Sequence, residues 1–259
     1  MDLKLKDKVI VVTGGSKGIG FGICEVLAAE GAVIFIIGRN QPTIIKAAKD
    51  LEESGATVAY AFAELTDPKQ CENAIKSVIE RYGKIDGLVN NAGVNDGVGL
   101  ENGNYEDFMS SLQKNLVHYY LMAHHALPAL KKSKGAIVNI GSKTSVTGQG
   151  GTSGYAAANG GRNALTREWA VELLPFSIRV NAVMVAECYT PLYDRWIKTF
   201  DEPEKKLKGI TEKIPLENRM TTAGEIGNTV AFLLSDASSH TTGQLVYVDG
   251  GYTHLDRAL

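Results

Sequence analysis

Residues 9–20 read VIVVTGGSKGIG, an apolar run that ends in a turn containing four glycines. A helical apolar pattern follows directly, with Ile23, Val26 and Leu27 on one face. A strand, a glycine turn and a helix in this order can bind a pyrophosphate, because glycines allow close backbone approach and the free N–H groups at the helix start hold the anion. The segment therefore predicts a dinucleotide-binding α/β fold.

Short apolar runs alternate with helical patterns along the rest of the chain. We predict strands near residues 8–13, 33–38, 57–62, 87–90, 135–140, 178–184 and 245–248. Nearly continuous apolar strands separated by helices indicate a parallel sheet covered on both faces. The predicted fold is a single-domain, Rossmann-type, doubly wound parallel sheet of about seven strands with helices on both faces, spanning residues 1–259. Residues 187–215 interrupt the alternation and are expected to form a helical lid over the substrate, or else an ordinary surface insertion.

Composition limits the function classes. The chain has 259 residues, of which 44% are hydrophobic, and a formal net charge of -2 without a basic block, so there is no electrostatic case for nucleic acid or an anionic membrane. Its three cysteines lack metal or redox spacing and its five histidines are dispersed, so we predict no metal site. The N-terminus has no apolar signal region, and no stretch approaches the ~18 apolar residues of a membrane span. We therefore expect a cytoplasmic protein with reduced thiols.

Further motifs follow the glycine turn in a fixed order. Residues 90–93 read NNAG after a predicted strand, Asn115 lies in a long helical stretch, Ser142 follows the fifth predicted strand, and Tyr155 comes thirteen residues later. Together with the Gly-x-x-x-Gly-x-Gly spacing of the turn, this series resembles the short-chain dehydrogenase/reductase family. The resemblance implies an NAD(P)-dependent oxidoreductase in which Tyr155 is the general base, Ser142 holds the reacting oxygen and Asn115 belongs to the proton relay.

The same resemblance implies the cofactor contacts. They are Gly14, Ser16, Lys17, Gly18, Ile19, Gly20, Arg39, Glu64, Leu65, Asn91, Ala92, Gly93, Tyr155, Asn159, Val185 and Thr190. NAD-preferring members place an Asp at the end of the second strand, where this chain has Gly38 followed by Arg39. Arg39 and Lys17 would both favour a 2'-phosphate, so NADP is favoured over NAD. Alternatively, Arg39 stacks on the adenine and Lys17 is solvated.

One position departs from the family pattern. Where members carry a Lys four residues after the Tyr, on the same helix face, this chain has Asn159. Asn159 can bond a ribose hydroxyl but supplies no cation, and a unit charge ~6 Å away at an effective dielectric of ~20 is worth roughly 3 kcal/mol. Arg162 or Lys143 could substitute, although each is more simply a surface or interface charge. The alternative function is a protein that binds dinucleotide and sugar without useful turnover.

Several stretches resemble the bacterial L-fucose dehydrogenases more closely, namely residues 94–97, 142–144, 146–150, 152–155, 186–187, 190–193 and 250–259. That resemblance implies a sugar substrate oxidised at its anomeric carbon to the lactone. We predict that Asn95, Gln149 and Glu187 bind the sugar together with Ser142 and Tyr155, because several hydroxyls need convergent amide and carboxylate groups. Alternatively, they are loop caps or second-layer partners.

We also predict a homo-oligomer, a dimer or a tetramer. The helix that bears Tyr155 carries Leu165, Trp169, Leu173 and Leu174, which are more apolar residues than one sheet-facing stripe uses. Members of the family pair such helices across a two-fold axis.

Overall fold

The computed structural model describes residues 2–255, so the ends of the predicted domain and the last four residues of the 250–259 resemblance lie outside it. Within this range, one sheet contains β1 (Val9–Thr13), β2 (Val33–Gly38), β3 (Val58–Phe62), β4 (Gly87–Asn90), β5 (Ala136–Ser142), β6 (Arg179–Val185) and β7 (Leu245–Val248). The strand order is β3-β2-β1-β4-β5-β6-β7, and all neighbours pair in parallel. The predicted doubly wound parallel fold is confirmed.

Helices connect the strands. They are α1 (Gly18–Ala29), α2 (Gln41–Glu53), α3 (Pro68–Tyr82), α4 (Tyr105–Leu112), α5 (His118–Ser133), α6 (Ser153–Glu172), α7 (Pro191–Ile197), α8 (Pro203–Thr211) and α9 (Ala223–Leu234). A π-helical segment, Gln113–Val117, joins α4 to α5, and short 3-10 turns span Lys143–Ser145, Leu174–Phe176 and Asp236–Ser238.

Alternation along the strands divides the interior into two apolar layers. In β1, Ile10 and Val12 pack with α1, α2 and α9, whereas Val9 and Val11 pack with α3, α5 and α6. Since successive strand residues point to opposite faces, a strand that is apolar at every position fits a sheet covered on both sides. The carboxyl ends of the strands are left for the site.

The apolar residues predicted for an oligomer face have a different role. Trp169 and Leu173 are buried in the chain's own core, and Leu165 packs partly against it. Leu174 lies in the 3-10 turn after α6 and is 58% exposed. Most of these side chains therefore pack inside the chain, and the homo-oligomer remains a prediction.

Two further features concern the described residues as a whole. Cys24, Cys71 and Cys188 are free thiols and are buried. Among residues 2–255, no helix is long and apolar enough to cross a bilayer.

Candidate active site

The glycine turn and β4 are joined at the point where the strand order reverses. The hydroxyl of Thr13 accepts hydrogen bonds from the backbone N–H groups of Asn91 (2.9 Å) and Ala92 (3.1 Å). The amide of Asn91 donates back to the carbonyl oxygen of Thr13 at 2.9 Å. A Cβ at Gly20 would collide with the carbonyl oxygen of Gly14, so only glycine permits the first turn of α1 to lie this close to β1. Ligands of doubly wound sheets bind at this crevice.

A cavity of about 590 Å³ opens at these strand ends. Its wall contains all the predicted cofactor residues except Asn159, together with Asn95, Ser142 and Tyr155 from the predicted substrate set. The size falls within the range of small-molecule and cofactor sites, roughly 300–1,000 Å³. The structure therefore gathers one cluster from segments spread over most of the sequence.

The charges on this wall are mostly positive. Its cations are Lys17, Arg39, Lys114, Arg162 and Arg195, and its one carboxylate among the described residues is Glu64. A cleft lined by one sign of charge attracts a ligand of the opposite sign. Together with the glycine turn, this arrangement fits a nicotinamide dinucleotide, whose pyrophosphate is anionic.

Arg39 and Glu64 form an ion pair at the rim of the cavity. Nη1 of Arg39 lies 3.0 Å from Oε2 of Glu64, and the Arg39 side chain is 73% exposed. Burial tends to raise the pKa of Glu64, but hydrogen bonds from Arg39 and Thr66 prevail and the pKa lies below its usual value. A 2'-phosphate would therefore share Arg39 with a carboxylate.

Asn115 lies behind the cavity wall, in the π-helical segment. Its side chain is fully buried, its Oδ1 accepts from the N–H of Val94 at 2.8 Å, and its Nδ2 donates to the carbonyl oxygen of Ser111 at 3.0 Å. π-Helical turns often mark functional positions, since the extra residue changes the helix register. Here Asn115 links this helix to the chain after β4.

Ser142 ends β5 and begins the following 3-10 turn. Its hydroxyl accepts from the N–H of Thr144 at 3.3 Å and from the Thr144 hydroxyl at 3.1 Å. These two bonds fix the side chain, which lies on the cavity wall with Tyr155 from the first turn of α6.

Asn159 does not line the cavity, in contrast to the predicted ribose contact. It is fully buried, and its Nδ2 donates to the carbonyl oxygen of Tyr155 at 2.9 Å. Its Oδ1 accepts from Nη1 of Arg162 at 3.1 Å. The cavity wall contains its partner Arg162 instead.

Two side chains expected at the surface are in fact buried. Arg162 is 3% exposed, and Lys143 is 8% exposed. The Lys143 ammonium pairs with Glu187 and lies 3.9 Å from the ring centroid of Tyr252. Sequence reasoning considered both residues and placed both outside, because a lone charge is normally solvated.

His118 is a wall residue that sequence reasoning missed. It is 1% exposed, and its Nε2 lies 2.9 Å from the carbonyl oxygen of Lys114, which identifies Nε2 as the donor. Burial, followed by the charge of Arg162, lowers its pKa to about 4. The available signal was its position three residues after Asn115, on the same helical stretch.

The predicted sugar contacts are only partly brought together. Asn95 lies on the wall, whereas Gln149 is an exposed loop residue and does not line the cavity. Glu187 is also absent from the wall, since Lys143 holds its carboxylate beside the end of β6. The Tyr193 hydroxyl belongs to the same cluster, where burial and then the charge of Glu187 raise its pKa.

The known proteins to which this chain is similar are oxidoreductases. Residues 14–253 match the family model described as enoyl-(acyl carrier protein) reductase. A 3-oxoacyl-[acyl-carrier-protein] reductase FabG of Thermotoga maritima is 33% identical over 253 residues, covering 96% of this chain and 99% of the relative. A 3alpha-hydroxysteroid dehydrogenase of Mediterraneibacter gnavus is also 33% identical, covering 96% and 98%.

Two solved structures are similar over nearly the whole chain. The Cj0485 dehydrogenase is 45% identical with a TM-score of 0.96, covering 100% of this chain and 99% of its own. The ligand-free aldohexose dehydrogenase of Thermoplasma acidophilum is 29% identical with a TM-score of 0.87, covering 98% and 97%.

Proposed function

The chain belongs to the short-chain dehydrogenase/reductase family, whose members are NAD(P)-dependent oxidoreductases, and we propose that it oxidises the anomeric carbon of an aldose of the L-fucose type to the lactone. NADP is the favoured hydride acceptor and NAD the alternative. A homo-oligomeric assembly in the cytoplasm, with no nucleic-acid or membrane partner, completes the proposal.

One observation carries the proposal. Tyr155, Ser142 and Asn95 lie on the wall of the same cavity as the glycine turn. A phenol and a hydroxyl next to a dinucleotide site are the groups that an alcohol oxidation needs, because the alcohol proton must be accepted while the hydride departs.

The chain's residues divide this work among them. Ser142, fixed by Thr144, donates a hydrogen bond to the anomeric oxygen, and Tyr155 accepts the proton of that hydroxyl. The nicotinamide, when bound, supplies the acceptor for the hydride. The sugar thus loses one proton to Tyr155 and one hydride, which converts the hemiacetal to a lactone.

The preference for NADP rests on charge. Lys17 and Arg39 lie on the wall at the end that holds the glycine turn and the carboxyl end of β2. Arginine binds phosphate through a planar fork of donors and is favoured at such positions. The opposing charge of Glu64 reduces this preference and leaves NAD as the alternative.

The sugar proposal rests on polar groups near Ser142. Asn95 offers an amide, and the cluster of Lys143, Glu187 and Tyr193 places charged and hydroxyl groups at the end of β6. The similarity to an aldohexose dehydrogenase supports a sugar, whereas the acyl-carrier-protein and steroid relatives support more apolar substrates. A pocket with buried polar groups discriminates against analogues that leave those groups unpaired.

Asn159 is the observation that favours the second candidate, a protein that binds dinucleotide and sugar without useful turnover. A general base that lacks its usual cation is expected to transfer protons slowly, and such effects are typically ~10²–10⁴-fold. Turnover separates this candidate from the first.

The test measures NADPH and NADH formation with L-fucose, other aldoses, a 3-hydroxysteroid and a 3-hydroxyacyl thioester. We expect turnover with L-fucose or a configurational relative, faster with NADP. Turnover with the steroid or thioester alone would refute the sugar proposal, and binding of dinucleotide and sugar without turnover would establish the second candidate.

A matched pair of variants tests the sugar contact. Glu187→Gln retains a hydrogen-bonding group beside Lys143 but removes the charge, and we expect it to raise the KM for sugar with little change in dinucleotide binding. Glu53→Gln, on an exposed carboxylate of α2, is the control. An unchanged KM in Glu187→Gln would remove Glu187 from the sugar site.

A further inference from the structure

Arg162 is a buried cation that forms no ion pair with any carboxylate in the part of the chain that the structure describes. Its side chain is 3% exposed, and its guanidinium carbon lies 4.2 Å from the ring centroid of Tyr119. Burying an unpaired charge is unfavourable unless other groups compensate for it. The charge of Arg162 must therefore be compensated either by the fixed dipoles of neighbouring groups or by an anion that forms at the cavity wall.

Fixed dipoles compensate for part of the charge. The Nε of Arg162 donates to the carbonyl oxygen of Asn115 at 2.6 Å, and Nη1 donates to the carbonyl oxygen of Ile140 at 3.0 Å and to Oδ1 of Asn159 at 3.1 Å. Nη2 donates weakly to Oδ1 of Asn115 at 3.5 Å. A guanidinium has five N–H groups, so one N–H on Nη2 has no acceptor within residues 2–255. Arg162 thus retains both net charge and a donor.

The guanidinium lies at the level of Asn159 on the helix, although its Cα lies further along α6. Arg162 follows Tyr155 by seven residues, which places its Cα about 10 Å along the axis. Side chains lean towards the N-terminus of a helix, and the bond from Nη1 to Asn159 shows that Arg162 does so. Its guanidinium carbon lies 6.0 Å from the ring centroid of Tyr155.

Neighbouring residues accommodate this arrangement. A Cβ at Gly93 would lie 2.9 Å from both Nη2 of Arg162 and Oδ1 of Asn115, so the absence of a side chain there makes room for the guanidinium. Asn159 contributes a neutral oxygen that accepts from Arg162. A Lys at position 159 would instead place a second cation against the first.

We propose that Arg162 is a positioning residue that stabilises the ionised form of Tyr155, the role that the family resemblance gives to a Lys at position 159. The proposal rests on the proposed function of Tyr155 as proton acceptor. The phenolate takes the proton of the substrate hydroxyl and becomes neutral, while Arg162 keeps its charge throughout. The cation is carried by a residue about one helical turn further along α6, and its side chain leans back to contact Asn159.

The other ionisable residues next to Arg162 and Tyr155 do not supply the positive charge that would stabilise a Tyr155 phenolate near neutral pH. Tyr119 packs against Arg162 from α5, and His118 precedes it on that helix; their pKa values are about 12 and about 4, so both are neutral between those limits. Lys143 is paired with Glu187. The remaining charged groups on the wall are Lys17, Arg39, Glu64, Lys114 and Arg195.

The test moves the charge between the two helix positions. Arg162→Met is expected to shift the alkaline-rising limb of the kcat–pH profile to higher pH, because Tyr155 then loses a cation whose guanidinium carbon lies 6.0 Å from its ring centroid. Arg162→Lys is expected to retain most of the wild-type profile. The double variant Asn159→Lys with Arg162→Met is expected to restore it, because the charge returns to the position that the family uses.

Asn159→Lys alone distinguishes the proposal from a simple missing lysine. We expect it to lower the thermal midpoint and leave the profile unimproved, because two cations then compete for the same acceptors. A faster enzyme with a profile shifted to lower pH would overturn the proposal. So would an Arg162→Met protein that is folded and has the wild-type profile, or an Arg162→Lys protein that behaves like Arg162→Met.

A second measurement needs no turnover. The ultraviolet phenolate absorbance of the wild type, minus that of Tyr155→Phe, reports the ionisation of Tyr155 as pH rises. We expect this ionisation to move to higher pH in Arg162→Met and to change little in Arg162→Lys, and an ionisation at the same pH in Arg162→Met and the wild type would overturn the proposal. If no alcohol is oxidised by the wild type, the proposed function fails while this titration still decides the role of Arg162.

Discussion

Acidification is expected to destabilise the protein through one buried histidine. His118 is 1% exposed, and burial together with the charge of Arg162 lowers its pKa to about 4, compared with 6.5 for an unperturbed histidine. The folded state therefore prefers the neutral ring. Its contribution to stability is fully present above pH 6.5 and is lost progressively as the pH falls to about 4.

The size of the effect follows from the pKa difference. A shift of one pKa unit corresponds to ~1.4 kcal/mol, so the full loss is about 3 kcal/mol, of which about 2 kcal/mol falls between pH 7 and pH 5. The described carboxylates with lowered pKa values act at lower pH; they are Glu64, Asp67, Glu72, Asp194 and Glu225. Between pH 7 and pH 5, the change in stability therefore reports mainly the protonation of histidine.

Urea unfolding of the dinucleotide-free protein at several pH values measures this loss. His118→Gln retains a donor towards the carbonyl oxygen of Lys114 and cannot be protonated, so its stability is expected to change much less between pH 7 and pH 5. His240→Gln is the control, because the His240 side chain is exposed. A His118→Gln protein that loses as much stability as the wild type would refute the reasoning.

Two further predictions concern the cofactor and the assembly. Arg39→Ala is expected to weaken NADP binding roughly tenfold and NAD binding less, and Glu64→Gln to strengthen NADP binding by releasing Arg39. Equal losses for both dinucleotides in calorimetric titrations of Arg39→Ala would show that Arg39 stacks on the adenine. Light scattering at micromolar concentration is expected to give a multiple of the monomer mass, since α4 and α5 expose Tyr105, Met109 and Tyr120. A monomer mass would contradict the expected homo-oligomer.

The sheet and the shape of the site were predictable because they depend on local pattern and on topology. Strand boundaries follow from apolar runs that end at glycine or asparagine, as with β4 at Asn90. Once the strands are parallel, their carboxyl ends meet at one edge. The residues from 14 to 20, 91 to 93 and 142 then gather there without further information.

The partners of charged side chains were not predictable in the same way. Lys143 and Glu187 are separated by 44 residues and meet only because β5 and β6 are neighbours. Trp169 and Leu173 look like a free apolar stripe until the rotation of α6 against the sheet is known. Such pairings depend on tertiary contacts that a single sequence does not encode as a spacing.

Asn159 shows the consequence for function. A motif assigns a role to a position in the sequence, but the electrostatic effect of a charge depends on where the side chain places the charged group. Arg162 lies outside the motif, yet the carbonyl oxygens of Asn115 and Ile140 hold its guanidinium beside Asn159 and close to the ring of Tyr155. The absence of a Lys at position 159 would leave Tyr155 without a cation only if Arg162 were solvated. Arg162 is buried instead. Asn159 is then the neutral partner that a relocated cation requires.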